Sequence, residues 1–293
     1  MRLWIDGTLR PLEETHTSPL AHGLHYGTGV FEGIRAYETS EGPAIFRLDD
    51  HLARLGRGAE VLGMVVDLGA LRQGCVDVLA DSSLAAAYLR PLAFFSGGGL
   101  SLDVGSLTVS QMVAALPWSN HLGAAATRGV RVRVSPWRRN PASALPPLKL
   151  CGNYVNSILA KLEATRAGFE EALFVDDRGF VVECTGENVF LVKGGRVTAV
   201  EHPDALPGLT RSTLLELSGG ESRPVHLEEL LAADEVFLTG TSAEVSPVAA
   251  LDGRTWSTGP LSEELAALYQ EVVHGRSPAH SAWLTPVASL PVY

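Results

Sequence analysis

Lysine is almost missing from this 293-residue sequence, which holds only Lys149, Lys161 and Lys193 among its 23 basic residues. The surroundings of Lys161 and Lys193 predict solvent-exposed side chains, because one lies in a polar helical pattern and the other in a Lys-Gly-Gly turn. Lys149 differs, since apolar residues flank it on both sides. Apolar surroundings disfavour the charged amine, lower its pKa and make it a usable Schiff-base nucleophile. A lysine that reaches water from the end of a strand explains the same pattern equally well.

Cysteine and positive charge are also scarce. Three cysteines, Cys75, Cys151 and Cys184, are odd in number and too widely spaced for a disulfide framework or a metal-ligand cluster. We therefore expect no bound metal and a reducing, cytoplasmic setting. The net charge of −10 argues against a nucleic-acid partner, because phosphate neutralisation needs a basic surface. Small anionic ligands are still compatible with it, since single arginines can bind them locally.

Long apolar runs are absent as well. No stretch reaches the roughly 18 uninterrupted apolar residues of a membrane-spanning helix, so we expect no membrane partner. The first residues lack the apolar region of a signal peptide, and none is expected. Apolar residues make up 46% and charged residues 19% of the chain, which is typical of a globular protein with a large core.

The N-terminal part is predicted to combine short strands with two helices. Apolar alternation bounded by turn residues predicts the strands, and apolar residues at helical spacing predict the helices. The first helix would begin near Asp49 or Asp50, either of which could cap it. The predicted strands are 3–5, 33–37, 44–47, 86–95 and 107–116, and the second helix is 71–79. The segment 119–128 loses the strand pattern and is interpreted as a linker.

The C-terminal part is predicted to mix strands and helices without regular βαβ alternation. Its predicted elements are strands 130–135 and 235–239, helices 155–167, 211–218 and 263–274, and two hairpins, 171–175 with 179–184 and 188–192 with 196–200. This order favours an α+β fold of two domains over a doubly wound sheet. We place a small N-terminal domain at 1–118, the linker at 119–128, and a larger C-terminal domain carrying Lys149 at 129–293.

A single carboxylate interrupts an otherwise apolar strand. Glu183 follows three apolar residues, and a buried carboxylate needs a hydrogen-bond donor, for which a pyridinium N–H would serve. An edge strand with this face in water fits equally well. Tyr154, five residues after Lys149, could bond a cofactor hydroxyl, although alone it is more typical of an amphipathic tyrosine whose hydroxyl meets water.

Two loops and three arginines are candidate anion sites. Residues 207–210 precede a helix whose N–H groups and dipole favour a phosphate, and residues 240–242 follow a strand and offer hydroxyl donors. Arg54 could add a bidentate phosphate contact, although its local pattern favours a solvated helix arginine. Arg35 and Arg90 each interrupt an apolar strand. They are candidates for carboxylate recognition, or equally for pairing with buried acids such as Glu32.

These features occur together in one known family. The sequence resembles the fold-type IV pyridoxal-phosphate enzymes, and within them the branched-chain amino-acid aminotransferases. The matching segments, in chain order, are HGLHYGTGVFEGIRAY (22–37), FRLDDHLARL (46–55), AYLRPLAF (87–94), ALPWSNHLG (115–123), KLCGNY (149–154), ECTGENVF (183–190), LPGLTR (206–211), DEVFLTGTSAEVSPV (234–248) and AWL (282–284). Nine segments in this order are very improbable by chance.

The resemblance implies a two-domain α+β fold with the active site at the domain interface, and pyridoxal 5'-phosphate as the cofactor. Lys149 would form the Schiff base and move the substrate proton, and Glu183 would hold the pyridine nitrogen protonated. The cofactor-binding residues would be Arg54, Lys149, Tyr154, Glu183, Leu209, Thr210 and Thr241. The substrate-binding residues would be Tyr26, Phe31, Tyr88, Arg90, Trp118, Thr241 and Ser242.

The resemblance further implies a ping-pong transamination between L-leucine, L-isoleucine or L-valine and 2-oxoglutarate. It also implies a homodimer or a dimer-based oligomer, in which loop 96–105 closes the partner's site. Two departures from the family pattern are expected to alter the substrate range: His121 replaces an aromatic pocket residue, and Leu150-Cys151 replaces smaller residues. Alternatives are a D-amino-acid aminotransferase, an (R)-amine transaminase, an aminodeoxychorismate lyase, or a non-catalytic cofactor-binding protein on the same scaffold.

Overall fold

The computed structural model describes residues 1–118, 120 and 122–288, without the side chain of residue 127. The strands are β1 Arg2–Ile5, β2 Thr8–Pro11, β3 Gly29–Phe31, β4 Ile34–Thr39, β5 Gly42–Phe46, β6 Ala87–Gly97, β7 Thr108–Pro117, β8 Val130–Val134, β9 Glu171–Val175, β10 Val181–Cys184, β11 Asn188–Lys193, β12 Arg196–Val200, β13 Glu221–Arg223, β14 Glu235–Gly240, β15 Glu244–Leu251, β16 Arg254–Thr255 and β17 Leu284–Pro286. The helices are α1 His22–Tyr26, α2 Leu48–Val61, α3 Leu68–Ser82, α4 Ala125–Arg128, α5 Tyr154–Arg166, α6 Leu209–Ser218, α7 Leu227–Leu231 and α8 Pro260–Val273.

The chain divides into two compact units. Unit 1 comprises Met1–Trp118, Leu148–Asn153 and Val272–Tyr293, and unit 2 comprises Ser119–Pro147 and Tyr154–Glu271. This division differs from the predicted domains, because 148–153 and the described residues 272–288 lie with the N-terminal unit, and the described part of the predicted linker lies in unit 2. The segment that carries Lys149 therefore belongs to unit 1, although the residues directly before and after it in the chain belong to unit 2.

Unit 1 is built on an eight-stranded sheet. The strands follow the order β17-β5-β4-β6-β7-β1-β2, and β3 pairs with β6. Side chains alternate along β6, where Ala87, Leu89 and Ala93 are buried while Tyr88 and Arg90 on the other face are half-buried. The predicted strands of this half are confirmed to within a few residues. The short strand expected to return after the turn Asp6-Gly7 is β2, whereas β3 and helix α1 fall where no such pattern is visible in the sequence.

Helices α2 and α3 cover the core of unit 1. Leu48, Leu52, Leu55 and Ala59 of α2 recur at helical spacing and pack in the buried apolar cluster. The predicted cap of α2 was wrong. Arg47, in a left-handed conformation (φ 51°), is the N-cap, and Asp49 and Asp50 lie in the first turn, where their charges complement the helix dipole.

The Lys149 segment is attached to unit 1 by backbone hydrogen bonds. The N–H of Phe31 donates to the carbonyl of Lys149 at 3.1 Å, and the N–H of Gly152 donates to that of Gly27 at 3.0 Å. Leu150 is buried in the core beside Val30, with which it forms an isolated β-bridge. An apolar residue after the lysine therefore fixes the segment to the sheet.

Unit 2 is built on a nine-stranded sheet. The strands follow the order β10-β9-β8-β15-β14-β11-β12-β13, and β16 pairs with β15. Both predicted hairpins are confirmed, since β9 pairs with β10 and β11 with β12 in antiparallel fashion. The predicted helices correspond to α5, α6 and α8 with shifted ends. Strand β15 was not predicted, because its central residues Ser246-Pro247 interrupt the apolar alternation.

Lys161 does not have the fully solvated side chain that its local pattern predicts. Its amine lies 2.7 Å from the carboxylate of Glu171, which is completely buried, and the lysine side chain is only 33% exposed. Burial, followed by the nearby charge of Glu187, raises the pKa of Glu171, whereas Lys161 opposes this rise. Lys193, whose side chain is 57% exposed, is as solvated as predicted.

Candidate functional site

Lys149 lies against an aromatic ring of unit 1. Its amine is 4.9 Å from the ring centroid of Phe31 at the end of β3, and the side chain is half-buried. The guanidinium of Arg90, on β6, is 4.8 Å from the same centroid. Arg90 donates a 3.0 Å hydrogen bond to the hydroxyl of Tyr88. The structure thus brings Lys149, Phe31, Tyr88 and Arg90 together.

A glycine permits this arrangement. A Cβ atom at Gly33 would stand 1.9 Å from the hydroxyl oxygen of Tyr88, so any larger residue would displace the tyrosine. A second close approach occurs at Gly29, where a Cβ atom would lie 3.0 Å from the sulfur of Cys151. Cys151 thus packs against Gly29 and Leu150 against the core, and the effect of these two residues on the substrate range stays a prediction.

The other predicted substrate residues of unit 1 have different neighbours. The hydroxyl of Tyr26 donates to the carbonyl of Leu100 at 3.3 Å, and half of the side chain is exposed. Trp118 stacks on Arg35, whose guanidinium carbon is 3.7 Å from the indole centroid and 4.3 Å from the ring centroid of Tyr37. His121 lies outside the described residues.

Arg54 belongs to a buried cluster of three ionisable side chains. Its Nε and Nη2 atoms donate to the two carboxylate oxygens of Glu32 at 2.6 and 2.9 Å, and His51 Nδ1 lies 2.7 Å from Glu32 Oε2. All three are at most 3% exposed. The local pattern favoured a solvated side chain for Arg54, and that prediction is wrong. The acid pairs with Arg54 and His51 rather than with Arg35.

Electrostatics in this cluster favour an ionised acid and a neutral histidine. Burial alone would raise the pKa of Glu32, but Arg54 and His51 outweigh it and hold that pKa well below its usual range. Burial lowers the pKa of His51, which Glu32 opposes, and the charges of Arg54 and Lys149 lower it further. Lys149 is therefore close enough for its charge to act on the cluster.

Glu183 lies in β10 of unit 2 and is buried. Its Oε1 atom forms an ion pair with Arg139 Nε at 2.8 Å, and its Oε2 atom accepts a 3.0 Å hydrogen bond from the N–H of Leu206. Asn188 donates to the carbonyl of Leu206 at 2.9 Å and thereby fixes this loop to β11. Strand β10 does lie at the edge of the sheet, but the burial of Glu183 excludes the alternative in which its side chain faces water. The sequence interpretation missed Arg139 and Asn188, because Arg138-Arg139-Asn140 resembles a solvated loop.

Both loops that were predicted to bind anions lie in unit 2. One precedes helix α6, and the other connects β14 with β15. Helix α6 begins at Leu209, and its N-cap, Gly208, provides no side-chain hydrogen bond to the first turn. A Cβ atom at Gly208 would lie 2.0 Å from Asn188 Oδ1. Thr210 is buried in that turn. Residues 241–243, with Thr241 and Ser242, form the tight connection between β14 and β15, whose terminal residues Gly240 and Glu244 pair.

Tyr154 is half-buried at the first position of α5. Within the described ranges no helix is long and apolar enough to cross a membrane. Among the residues that the structure describes, no three His, Cys, Asp or Glu side chains form a group that could hold a metal ion.

Comparison with known proteins identifies the family. Residues 29–251 match the model of amino-transferase class IV. The branched-chain-amino-acid aminotransferase of Pseudomonas aeruginosa is 36% identical over 97% of both chains. The solved T.th. branched-chain amino acid aminotransferase, complexed with N-(5'-phosphopyridoxyl)-L-glutamate, is 41% identical over 98% of both chains with a TM-score of 0.93. That of Thermoproteus uzoniensis, with norvaline, is 38% identical over 98% of this chain and 99% of its own, with a TM-score of 0.94.

The chain therefore belongs to the class IV aminotransferase family. The predicted resemblance to branched-chain aminotransferases and the predicted α+β fold of fold type IV are confirmed.

Proposed function

We propose that this chain transfers the amino group of L-leucine, L-isoleucine or L-valine to 2-oxoglutarate by a ping-pong reaction, with Lys149 as the catalytic residue. The enzyme class is confirmed by the curated relatives, which are branched-chain-amino-acid aminotransferases. The cofactor is confirmed as pyridoxal phosphate by solved relatives that contain pyridoxamine 5'-phosphate or a phosphopyridoxyl adduct. The substrate assignment rests on one observation, that Lys149 and Arg90 both lie against the Phe31 ring.

The residues of the chain fit this cofactor chemically. Lys149 offers an amine for the aldehyde, and Glu183 offers a buried carboxylate for the pyridine nitrogen. Arg54 and the N-terminus of α6 at Leu209 and Thr210 offer the donors that a phosphate group needs, and Thr241 adds a further hydroxyl. Tyr154 would donate its hydroxyl to the ring oxygen. We propose these residues as the cofactor ligands.

Each residue then has a defined chemical task. Bound pyridoxal phosphate supplies a ring that delocalises the electrons left on the substrate Cα atom when its proton is removed. Lys149 removes that proton and returns it to the cofactor's C4′ atom. Glu183 keeps a proton on the pyridine nitrogen, so that the ring remains electron-poor throughout the reaction. The same residues act in reverse when 2-oxoglutarate is converted to glutamate.

One pocket must accept both an isobutyl group and a carboxylate. We propose that Phe31, Trp118 and Tyr154 contact the apolar side chain, while Arg90 and Tyr26 bind the distal carboxylate of glutamate. Tyr88 would orient Arg90 through their hydrogen bond. The N–H groups of Thr241 and Ser242 would bind the α-carboxylate that all these substrates share.

The proposal is tested by the visible spectrum of the purified holoenzyme. L-Leucine should replace the yellow absorption band with the near-ultraviolet band of the pyridoxamine form, and 2-oxoglutarate should restore it. Lys149→Ala should abolish this response, whereas Lys193→Ala, which removes an exposed lysine of unit 2, should leave it intact. A yellow protein that responds to D-alanine but not to L-leucine would contradict the proposal and favour a D-amino-acid aminotransferase.

We also propose a homodimer, or an oligomer built from dimers, in the cytoplasm. The dimer is supported by exposed apolar residues of unit 1, where Leu24 is 70% and Leu102 is 80% exposed. The cytoplasmic setting is supported by cysteines that are all free thiols.

A further inference from the structure

Arg139 is a buried arginine whose side chain contacts two elements that carry proposed cofactor ligands. Its Nε atom pairs with Glu183 of β10 at 2.8 Å, and both side chains are only 6% exposed. Its Nη1 atom donates to Ser157 Oγ at 3.3 Å and to Asn156 Oδ1 at 3.4 Å, in the first turn of α5. That helix begins at Tyr154.

The backbone around Arg139 is held at the same helix turn. Asn156 donates to the carbonyl of Arg138 at 2.8 Å and accepts from the N–H of Asn140 at 3.3 Å. The position of the arginine is therefore set by backbone contacts on both sides. A guanidinium held in this way is a preorganised charge rather than a mobile surface group.

The charge of this arginine matters because Glu183 is buried. A carboxylate removed from water tends to take up a proton unless a positive charge or hydrogen-bond donors stabilise its ionised form. The N–H of Leu206 donates to one oxygen, and Arg139 provides the charge beside the other. Since an arginine side chain does not lose its proton in proteins, its contribution is constant across the working pH range.

We propose that Arg139 is a positioning residue that keeps Glu183 ionised and oriented toward the pyridine nitrogen, and that it does so at every pH at which the enzyme works. This inference rests on the proposed role of Glu183 in cofactor binding. Without the arginine charge, burial favours the protonated form of Glu183, which no longer stabilises the protonated ring. The first turn of α5, with Tyr154, loses an anchor at the same time.

The test compares Arg139→Met, Arg139→Gln and Arg139→Lys with Glu183→Gln and with the double variant Arg139→Met/Glu183→Gln. Arg138→Met is the matched control, since that neighbouring arginine is 52% exposed and pairs with the exposed Asp177. Two readouts need no substrate: the dissociation constant of pyridoxal phosphate, and the pH dependence of the visible band between about pH 6 and pH 9. The third readout is the rate of the L-leucine half-reaction at saturating cofactor.

Arg139→Met should weaken cofactor binding by about tenfold and slow the half-reaction by about 10- to 100-fold, the range typical of removing a residue that orients a metal ligand through its contacts. When the pH is varied, the visible band of Arg139→Met should show a titration step that the wild-type band lacks. Arg139→Lys should retain most of the wild-type behaviour. The double variant should match Glu183→Gln alone, because both changes act through one carboxylate.

Additive losses in the double variant, or a lower melting temperature with unchanged spectra and rates, would show a purely structural ion pair and overturn the inference. If Arg139→Met does not fold, the comparison of Arg139→Lys with Arg139→Gln replaces it. The half-reaction of Arg139→Lys must then be at least about tenfold faster than that of Arg139→Gln, and equal rates refute the role of the charge. Failure of the proposed function is separate, because the wild type would then not respond to L-leucine. The substrate-free titration of the visible band would still test Arg139.

Discussion

Single charged residues within apolar segments carried most of the functional information that is visible in the sequence. Lys149 and Glu183 were singled out on this ground, and the structure shows a half-buried amine and a buried carboxylate. Arg139 escaped notice because its two neighbours are also polar. Its burial results from its contacts with β10 and α5, which are distant in the chain. A charged residue can be identified as functional from sequence only when its local context is apolar.

The Glu32–His51–Arg54 cluster should make the protein sensitive to acid. The pKa of His51 is lowered from 6.5 in the folded state, so the unfolded state binds that proton more tightly and stability falls as the pH drops below about 6.5. The pKa of Glu32 is lowered from 4.5 in the folded state. Its contribution to the free energy of unfolding is therefore complete above about pH 4.5 and is lost as the pH falls below that value. Two positively charged side chains act on these groups. Arg54 acts on both Glu32 and His51, and Lys149 acts on His51. Urea unfolding from about pH 3 to pH 8 should show both losses of stability.

Variants separate the two contributions. His51→Asn should remove the loss of stability between about pH 6.5 and pH 5, since asparagine can still donate to Glu32 but does not titrate. Glu32→Gln should lower the free energy of unfolding at pH 7 by about 3–5 kcal/mol, because Arg54 is left buried without its partner. Asp49→Asn, which breaks an exposed pair with Arg72 on the surface of α2, should cost less than about 1 kcal/mol. A wild-type stability that is constant from pH 5 to pH 8 would contradict this account.

At the scale of elements, the periodic patterns predicted which helices and strands exist better than they predicted the residues at which these elements begin and end. Helix α3 was expected at 71–79 and extends from Leu68 to Ser82, because Asp67 caps it by accepting from the N–H of Ala70. The segment interpreted as a linker contains α4, which packs beside β15. Caps and short helices depend on one or two side chains, so an apolar pattern alone does not specify them.

Helix α3 packs closely on β1 at a glycine. A Cβ atom at Gly74 would lie 2.5 Å from the indole ring of Trp4, which is only 3% exposed. Gly74→Ala should therefore lower the free energy of unfolding by about 1–3 kcal/mol, despite the higher helix propensity of alanine. Gly69→Ala, in the same helix, is the control, since its Cβ would meet only the Asp67 carboxylate at 3.3 Å. Thermal unfolding of both variants measures the difference, and equal stabilities would refute the packing argument.

At the scale of the whole molecule, the exposed apolar residues of α1 and of loop 96–105 are relevant to assembly. Loop 96–105 is tied to α1, because His22 Nε2 lies 3.0 Å from the carbonyl of Ser101 and Tyr26 bonds that of Leu100. Leu24 and Leu102 project from these two segments into solvent. Contiguous exposed apolar patches commonly mark protein interfaces.

If this surface forms the proposed dimer, introducing a charge should break it. Leu24→Glu and Leu102→Glu should each shift the mass measured by light scattering from an oligomer toward one chain, because a buried unpaired carboxylate is costly. Leu12→Glu, at an apolar residue that is 46% exposed near β2, is the control and should leave the mass unchanged. An unaltered oligomer in both test variants would place the interface elsewhere.

The sequence by itself determined the family, the α+β class, most strands and helices, and the candidate lysine, glutamate and phosphate loops. These follow from local patterns and from ordered motifs that short segments carry on their own. Only the tertiary structure decided that residues 148–153 lie with unit 1, that Glu32 pairs with Arg54 and His51, and that Arg139 faces Glu183. Those contacts join residues far apart in the chain. Buried charges select their partners by position in space, which no local pattern records.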